Sequence, residues 1–202
     1  MILSIIICSY NRASYISDAL TSLYRQTAVL NEFEVIIVDN NSKDNTKEVY
    51  TAWRQTNTNG QFTFISETKQ GASFARNTGA TIAKGEWVCF MDDDAVATPN
   101  YVENILKHIH NKPDAVGFGG RIIPKYIPSE PKWMSYYVSS LVGNFNYAPI
   151  ACAFENGKYP LESNMIVKKS VYDQIGGFNV NLPGVVGTLR IGGEGKELFY
   201  KI

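Results

Sequence analysis

The chain of 202 residues is long enough for one substantial domain, because a globular chain of this size buries roughly 70% of the surface that it exposes when unfolded. Its 45% hydrophobic and 12% aromatic residues are typical of a soluble globular protein, and 19 basic residues balance 19 acidic ones. Nucleic-acid-binding proteins normally carry a basic excess that displaces counterions from phosphates, so we expect no nucleic-acid partner.

The first half of the chain alternates short apolar runs with amphipathic stretches of helical length. The apolar runs predict buried strands at residues 5–8, 35–38, 62–65 and 87–91. The amphipathic stretches predict helices at residues 14–26, from residues 41–44 onward, and at residues 71–83. Ser14 or Ser17 is the expected cap of the first helix. Strand and helix repeating every 30 residues or so form βαβ units, so we predict an α/β fold with a mainly parallel, Rossmann-like sheet flanked by helices.

The second half is less regular. Pro99 predicts the start of another helix, and residues 115–123 predict another strand. Residues 124–160 are rich in Tyr, Trp, Pro and Asn without clean periodicity, which favours an irregular segment over the edge of a site. A plain surface excursion stabilised by Trp133 and the tyrosines of this segment is the alternative. No repeat or linker interrupts the chain, so we predict a single domain.

Cysteine usage and hydropathy indicate a cytoplasmic location. Cys8, Cys89 and Cys152 are widely spaced and form neither a C-x-x-C pair nor a zinc pattern, as expected in a reducing compartment. The amino terminus lacks the basic region of a secretory signal, and no apolar run approaches the ~20 residues of a membrane span. Peripheral association with the cytoplasmic membrane face stays open.

Polar residues follow each of the four predicted strands of the first half. In parallel sheets, ligands bind beyond the carboxyl ends of the strands, so these segments predict a binding site. The alternative is that loops are generally polar, but the concentration of acids favours a site. The segments are residues 9–12, 39–42, 67–71 and 92–94.

Three adjacent carboxylates, Asp92, Asp93 and Asp94, directly follow the fourth predicted strand. Their mutual repulsion is costly unless a cation relieves it. Alternation along an extended backbone places Asp92 and Asp94 on the same side, and Mg²⁺ or Mn²⁺ is commonly bound by one or two carboxylates plus a substrate diphosphate. We therefore predict a divalent metal at Asp92 and Asp94. An acidic cap for the helix near Pro99 is the alternative.

Asp39 and Arg76 are candidates for nucleotide contacts. Asp39 ends the second strand and can accept hydrogen bonds from a base or a ribose, although it could instead cap the next helix. Arg76 lies one turn into the third helix, where the helix N-terminus and a guanidinium together attract phosphate, unless it is simply a solvated arginine. No G-x-x-x-x-G-K-[ST] motif occurs, and residues 117–120 do not form a dinucleotide fingerprint, which argues against a P-loop NTPase or a nicotinamide dehydrogenase.

Four segments, residues 4–12, 34–42, 71–79 and 85–94, together resemble the inverting family 2 glycosyltransferases of the GT-A fold. The resemblance implies that Asp92 contacts the ribose or the metal and that Asp94 ligates the cation. It implies a nucleotide-sugar site formed by Ser9, Tyr10, Arg12, Asp39, Arg76, Asp92 and Asp93.

The resemblance continues into the second half. Residues 162–165 resemble the acceptor-side segment of the family, and residues 176–178 resemble the continuation of that segment. Trp133 resembles a tryptophan of the family in its position. Residues 193–198 stand in the place of a Gly-Glu-Asp-x-Glu-Leu motif that supplies the catalytic base.

The aspartate position of that motif is Gly195 here, so Glu194 is the candidate base and Glu197 the second candidate. The surrounding glycines suggest a loop that closes over substrate, or an inert turn before a final helix. These glycines are Gly184, Gly187, Gly192, Gly193 and Gly195.

By this resemblance we expect a metal-dependent enzyme that transfers a sugar from a nucleoside-diphosphate sugar to a hydroxyl group. The expected donor is a UDP-sugar, and the expected acceptor is a glycan or a lipid-linked glycan. Such a reaction belongs to polysaccharide or cell-surface glycan synthesis. Residues 1–98 would form the donor half and residues 99–202 the acceptor half. Family members continue beyond this point, so we expect the acceptor half to be truncated; no oligomeric state is implied.

Two alternatives stay open. A sugar nucleotidyltransferase shares the parallel sheet and acidic metal site, but it usually has a Gly-rich, basic loop after the first strand. A non-catalytic nucleotide-sugar-binding subunit is suggested by Gly195.

Overall fold

The computed structural model describes residues 1–155, 157–186 and 189–202, and a mixed sheet lies at its centre. The strands of this sheet are β1 (Leu3–Ser9), β2 (Phe33–Asp39), β3 (Gln61–Ser66), β4 (Trp87–Asp92), β5 (Gly117–Gly119) and β6 (Asn164–Lys168). Their spatial order is β3-β2-β1-β4-β6-β5. The first four strands pair in parallel, and β6 runs antiparallel between β4 and β5. The predicted α/β class with a mainly parallel sheet is confirmed.

Helices connect these strands. They are α1 (Ala13–Tyr24), α2 (Thr46–Thr56), α3 (Ala72–Ile82), α4 (Tyr101–Asn111), α5 (Tyr136–Ser139), α6 (Lys169–Gln174) and α7 (Glu194–Phe199). A short antiparallel pair, β7 (Gly184–Val186) and β8 (Leu189–Ile191), precedes α7. Within the described residues, no helix combines the length and the hydropathy that a bilayer crossing requires.

Both faces of the central strands β1, β2 and β4 are buried, as expected for strands covered by helices on each side. Ile5 and Ile7 of β1 pack in one apolar cluster with α1, α2 and α4, whereas Ile6 packs in a second cluster with α3 and α6. Gly79 of α3 lies so close to the sheet that a Cβ there would come within 2.5 Å of Ile6 Cγ2. This close approach fixes α3, and with it the site that α3 helps to form.

Two helix starts differ from the sequence-based expectation because of Asp44. Neither Ser14 nor Ser17 caps α1; instead the Ala13 N–H donates to Asp44 Oδ2 at 3.0 Å. The other oxygen of Asp44 accepts the Thr46 N–H at 3.2 Å, so α2 begins at Thr46, after residues 41–44. One carboxylate between the two helices thus accepts the first backbone N–H of each helix.

In the second half, α4 follows Pro99 as predicted, but the predicted strand at residues 115–123 shortens to β5, with an isolated bridge between Ile122 and Phe145 beyond it. The segment at residues 124–160 is irregular apart from α5 and a 3₁₀ turn at Ser140–Val142. Trp133 is 72% exposed, so it does not stabilise this segment through burial.

Candidate active site

The polar ends of the strands meet at one edge of the sheet. Ser9 pairs in register with Asp39, and Asp39 with Ser66, while Cys8 pairs with Asp92 at the end of β4. The parallel register therefore brings together residues that are up to 84 positions apart in the sequence, as Ser9 and Asp93 show by their hydrogen bond.

The three aspartates at the carboxyl end of β4 alternate between exposed and buried positions. Asp92 and Asp94 are exposed, whereas Asp93 is 6% exposed and accepts the Ser9 hydroxyl at 2.7 Å. Burial raises the pKa of Asp93 to about 6, the Ser9 hydrogen bond and the Arg12 charge oppose this, and the neighbouring aspartates reinforce it. Asp93 thus ties β4 to β1, and Asp92 and Asp94 share the outer side.

The Asp92 side chain is exposed at the end of β4, but the protein around it removes part of its hydration. This desolvation raises the pKa of Asp92, and the negative charges of Asp94 and Glu162 raise it further. Arg76 and Arg12 oppose the shift. A cation placed here would relieve the repulsion between these acids.

Asp92 and Asp94 fit a divalent cation that a ligand helps to hold. Among the described residues, no three His, Cys, Asp or Glu side chains are grouped to bind a metal by themselves. Two carboxylates on one side suit Mg²⁺ or Mn²⁺, which commonly complete their coordination with phosphate and water. Arg12 Nη2 lies 3.5 Å from Asp94 Oδ2, so a cationic group already faces this carboxylate.

Arg76 is the second feature of the site. Its Nη1 lies 3.1 Å from Glu194 Oε1, and the two side chains are only 12% and 11% exposed. The guanidinium also lies over the Phe178 ring, 5.0 Å from its centroid. Burial by itself lowers the pKa of Arg76, but electrostatic interactions with Cys8, Asp92, Glu194 and Glu162 outweigh burial and raise it. The solvated arginine considered from the sequence is therefore excluded.

Asp39 carries an unused hydrogen-bond acceptor. Its Oδ1 is buried without a hydrogen-bond partner, and its Oδ2 accepts the Ser42 N–H at 3.4 Å. Such an orphaned acceptor is costly unless a ligand satisfies it. The helix-capping alternative for Asp39 is wrong, because the Thr46 N–H at the start of α2 donates to Asp44, and Asp39 accepts from Ser42, which precedes the helix. Tyr10, which directly follows β1, is 36% exposed near this end of the sheet.

The carboxy-terminal segment brings further acids to the site. Glu194 opens α7 and is paired with Arg76, whereas Glu197 Oε1 is held by Lys201 at 2.6 Å. Gly184 lies beside Glu194, because a Cβ added at Gly184 would lie 3.5 Å from Glu194 Oε1. Of the glycines expected to form a closing loop, Gly187 lies outside the described residues.

Asn77 of α3 was missed by the sequence analysis, since an asparagine on a helix carries no distinctive signal. Its Oδ1 accepts the Tyr172 hydroxyl at 2.6 Å and the Phe178 N–H at 2.9 Å, and its Nδ2 donates to the Phe178 carbonyl at 2.8 Å. Ser73, one turn earlier, donates its hydroxyl to the Leu182 carbonyl at 2.6 Å. These bonds attach residues 178–182 to α3 and hold Phe178 beneath Arg76.

Glu162 was noted in the sequence only as part of an acceptor-side segment. In the structure its Oε1 accepts the Gly195 N–H at 2.8 Å. Its charge acts on both Arg76 and Asp92. Nothing in the local sequence indicated that it would join α7 at the site.

Three known proteins resemble this chain in sequence or in fold. A glucosyl-dolichyl phosphate glucuronosyltransferase of Haloferax volcanii is 27% identical over 185 residues, which are 90% of this chain and 57% of that protein. A mannosyltransferase of Pyrobaculum calidifontis, solved with GDP-Man and Mn²⁺, has a TM-score of 0.67 at 22% identity over 89% of this chain and 48% of its own. S. aureus TarS, solved with UDP, has a TM-score of 0.62 at 21% identity over 91% of this chain and 52% of its own.

The chain spans about half the length of these proteins. The two solved structures share its fold, which is the GT-A arrangement. The family model for glycosyl transferase family 2 matches residues 4–176, most of the chain. This chain therefore belongs to glycosyl transferase family 2.

Proposed function

We propose that this chain is the donor-binding catalytic domain of an inverting glycosyltransferase, which moves a sugar from a nucleoside-diphosphate sugar to an acceptor hydroxyl. The observation that carries the proposal is the meeting of Asp92, Asp94 and Arg76 at the carboxyl edge of the sheet, where such folds bind ligands. The family assignment supports glycosyl transfer and leaves the nucleotidyltransferase alternative without support.

On the donor side, the unused Oδ1 of Asp39 would accept a hydrogen bond from the base or the ribose, next to Ser9 and Tyr10. Arg76 would bring positive charge toward the phosphates from the first turns of α3. We favour a uridine diphosphate donor. One solved neighbour was determined with UDP and another with GDP-Man, so a guanosine donor is the competing possibility for this chain.

Asp92 and Asp94 would hold the divalent cation, which neutralises negative charge on the departing diphosphate when bound. Two observations support this assignment. Asp92 and Asp94 are both exposed on the same side of the chain, and the pKa of Asp92 is raised. Mn²⁺ accompanies GDP-Man in the Pyrobaculum calidifontis structure.

The reaction is a single displacement. A carboxylate of the protein accepts the proton of the acceptor hydroxyl, and that oxygen forms a bond to the anomeric carbon. The bond from the anomeric carbon to the diphosphate breaks, and its electron pair leaves on the diphosphate oxygen. Arg76 stabilises that charge, and one displacement inverts the anomeric configuration. Glu194 is the base proposed from the sequence.

The acceptor is a hydroxyl of a glycan or of a lipid-linked glycan. The Haloferax volcanii relative is named for a glucosyl-dolichyl phosphate, which supports the lipid-linked class. A cytoplasmic protein with peripheral membrane association would suit that class. The non-catalytic subunit suggested by Gly195 is the competing function, because the site could bind a donor without a working base.

Thermal unfolding with UDP, GDP and their sugar esters, each with and without Mn²⁺, tests the donor site. A ligand at ~100 times its dissociation constant stabilises the fold by about 2.7 kcal/mol, which raises the Tm of a domain of this size by about 5–10 °C. We expect one diphosphate to stabilise the protein only when Mn²⁺ is present. No shift with any of these ligands would contradict the proposed donor site.

Asp94→Ala tests the metal assignment, and Asp114→Ala is its control. Asp114 is an exposed carboxylate before β5, and Gly117 of that strand lies level with Val88 at the amino end of β4, away from the site. We expect Asp94→Ala to lose the Mn²⁺-dependent shift and metal-dependent turnover while Asp114→Ala keeps both. Full turnover in Asp94→Ala would refute the metal assignment.

A further inference from the structure

Three carboxylates lie where α7 meets the loop before β6, and they differ in their partners. Glu194 is paired with Arg76, and Glu197 is paired with Lys201. Glu162 has no ion pair within the described residues. Of the three, Glu162 is therefore the carboxylate whose oxygens no cation of the described residues contacts.

Glu162 reaches the proposed site through the antiparallel strand. Asn164, two residues later, pairs in register with Met91, the residue before Asp92. The chain at Glu162 therefore emerges at the same edge of the sheet as the acidic end of β4. The negative charge of Glu162 is felt at Asp92 and at Arg76.

The Glu162 side chain is half-buried and held at one oxygen only. Its Oε1 accepts the Gly195 N–H at 2.8 Å, and no hydrogen bond to its Oε2 occurs in the described part of the chain. The bond orients the carboxylate and leaves Oε2 available for a proton.

Glu162 occupies space that exists because residue 195 is a glycine. A Cβ on Gly195 would overlap Oε1, Cδ and Cγ of Glu162, so a side chain at 195 and the present Glu162 exclude each other. A carboxylate attached at position 195 and the carboxylate of Glu162 would consequently occupy the same region.

We propose that Glu162 is the catalytic base of this enzyme and that Glu194 serves to position Arg76. This inference rests on the proposed function. Glu162 accepts the proton of the acceptor hydroxyl while that oxygen forms its bond to the anomeric carbon, and the bond to the diphosphate breaks with its electron pair leaving on the diphosphate. Water can take the place of the acceptor, which gives donor hydrolysis by the same steps.

The test measures release of UDP from UDP-N-acetylglucosamine and of GDP from GDP-mannose by the full chain with Mn²⁺, and it measures binding of both diphosphates by thermal shift. Glu162→Gln keeps an oxygen for the Gly195 N–H but removes the base. General base catalysis typically contributes 10²–10⁴-fold, so we expect turnover to fall at least about 100-fold with diphosphate binding unchanged.

Two further variants separate catalysis from a structural role. Glu162→Ala/Gly195→Asp removes the overlapping atoms and returns a carboxylate to the same region. Its turnover should therefore be at least about tenfold higher than that of Glu162→Ala. Glu194→Gln should weaken diphosphate binding through Arg76. Under a purely structural role for Glu162, Glu162→Gln would turn over within about threefold of the wild type, and this result would overturn the inference.

Failure of the inference is distinct from failure of the proposed function. If the wild-type chain binds no diphosphate, the proposed function fails and the inference fails with it. If it binds a diphosphate with Mn²⁺ but releases none from either sugar donor, the donor site stands and the base assignment falls. If Glu194→Gln alone abolishes turnover with binding intact, Glu194 is the base instead.

Discussion

Replacing Asn77 with alanine tests whether the junction between α3 and residues 178–182 depends on this one side chain. Asn77 makes three hydrogen bonds, two to the backbone of Phe178 and one to the hydroxyl of Tyr172. Phe178 is 1% exposed and Tyr172 is 3% exposed, so water cannot readily replace the lost partner. The substitution therefore leaves buried polar groups unsatisfied.

The magnitude follows from the three bonds. At about 1 kcal/mol each, their loss costs about 3 kcal/mol, and the better helix propensity of alanine returns about 0.5 kcal/mol. The net loss of about 2.5 kcal/mol should lower the Tm of a chain of 202 residues by about 5–10 °C.

Thermal unfolding of Asn77→Ala measures this loss, and Thr51→Ala is the control. The Thr51 hydroxyl donates only to the Lys47 carbonyl on the exposed side of α2, so its removal should change stability by less than about 0.5 kcal/mol. Tyr172→Phe removes one of the same hydrogen bonds. The double variant Asn77→Ala/Tyr172→Phe should therefore lose no more stability than Asn77→Ala alone. A Tm for Asn77→Ala within 1 °C or so of the wild type would refute the reasoning.

Thr78→Ala should destabilise the fold by about 1 kcal/mol at pH 7 and by less at pH 3, because the Thr78 hydroxyl donates to the Glu67 carboxylate. Burial by itself raises the pKa of Glu67, but this hydrogen bond and others outweigh burial and lower it, so the stabilisation is present at neutral pH and is lost as pH falls. Gly79→Ala should cost about 1–3 kcal/mol in urea unfolding, because the added Cβ would lie 2.5 Å from Ile6 Cγ2.

Each of these variants has a matched control. Thr78→Ser keeps the hydroxyl and should keep the pH dependence of the wild type; equal losses for Thr78→Ala at both pH values would contradict the account of Glu67. Thr81→Ala, on an exposed position of the same helix as Gly79, should stay within about 0.5 kcal/mol of the wild type. A Gly79→Ala variant as stable as this control would show that α3 can move away from the sheet.

The sequence by itself determined the fold class and the edge of the sheet at which the candidate site lies. The apolar runs and the helical periodicity are local properties, and β1 to β4 appeared where those patterns indicated. The alternation that placed Asp92 and Asp94 on one side is also local, since it follows from the extended backbone. Parallel pairing then brings the ends of these strands together without further information from the sequence.

Only the tertiary structure decided which acids have partners. Arg76 and Glu194 are 118 residues apart in the sequence, and their ion pair depends on how α7 docks beside α3. In the sequence, Gly195 looked like the loss of a functional side chain. In the structure, the space beside Gly195 is filled by Glu162, which lies in the loop before β6. Contacts of this kind depend on packing between distant segments, and no local pattern encodes them.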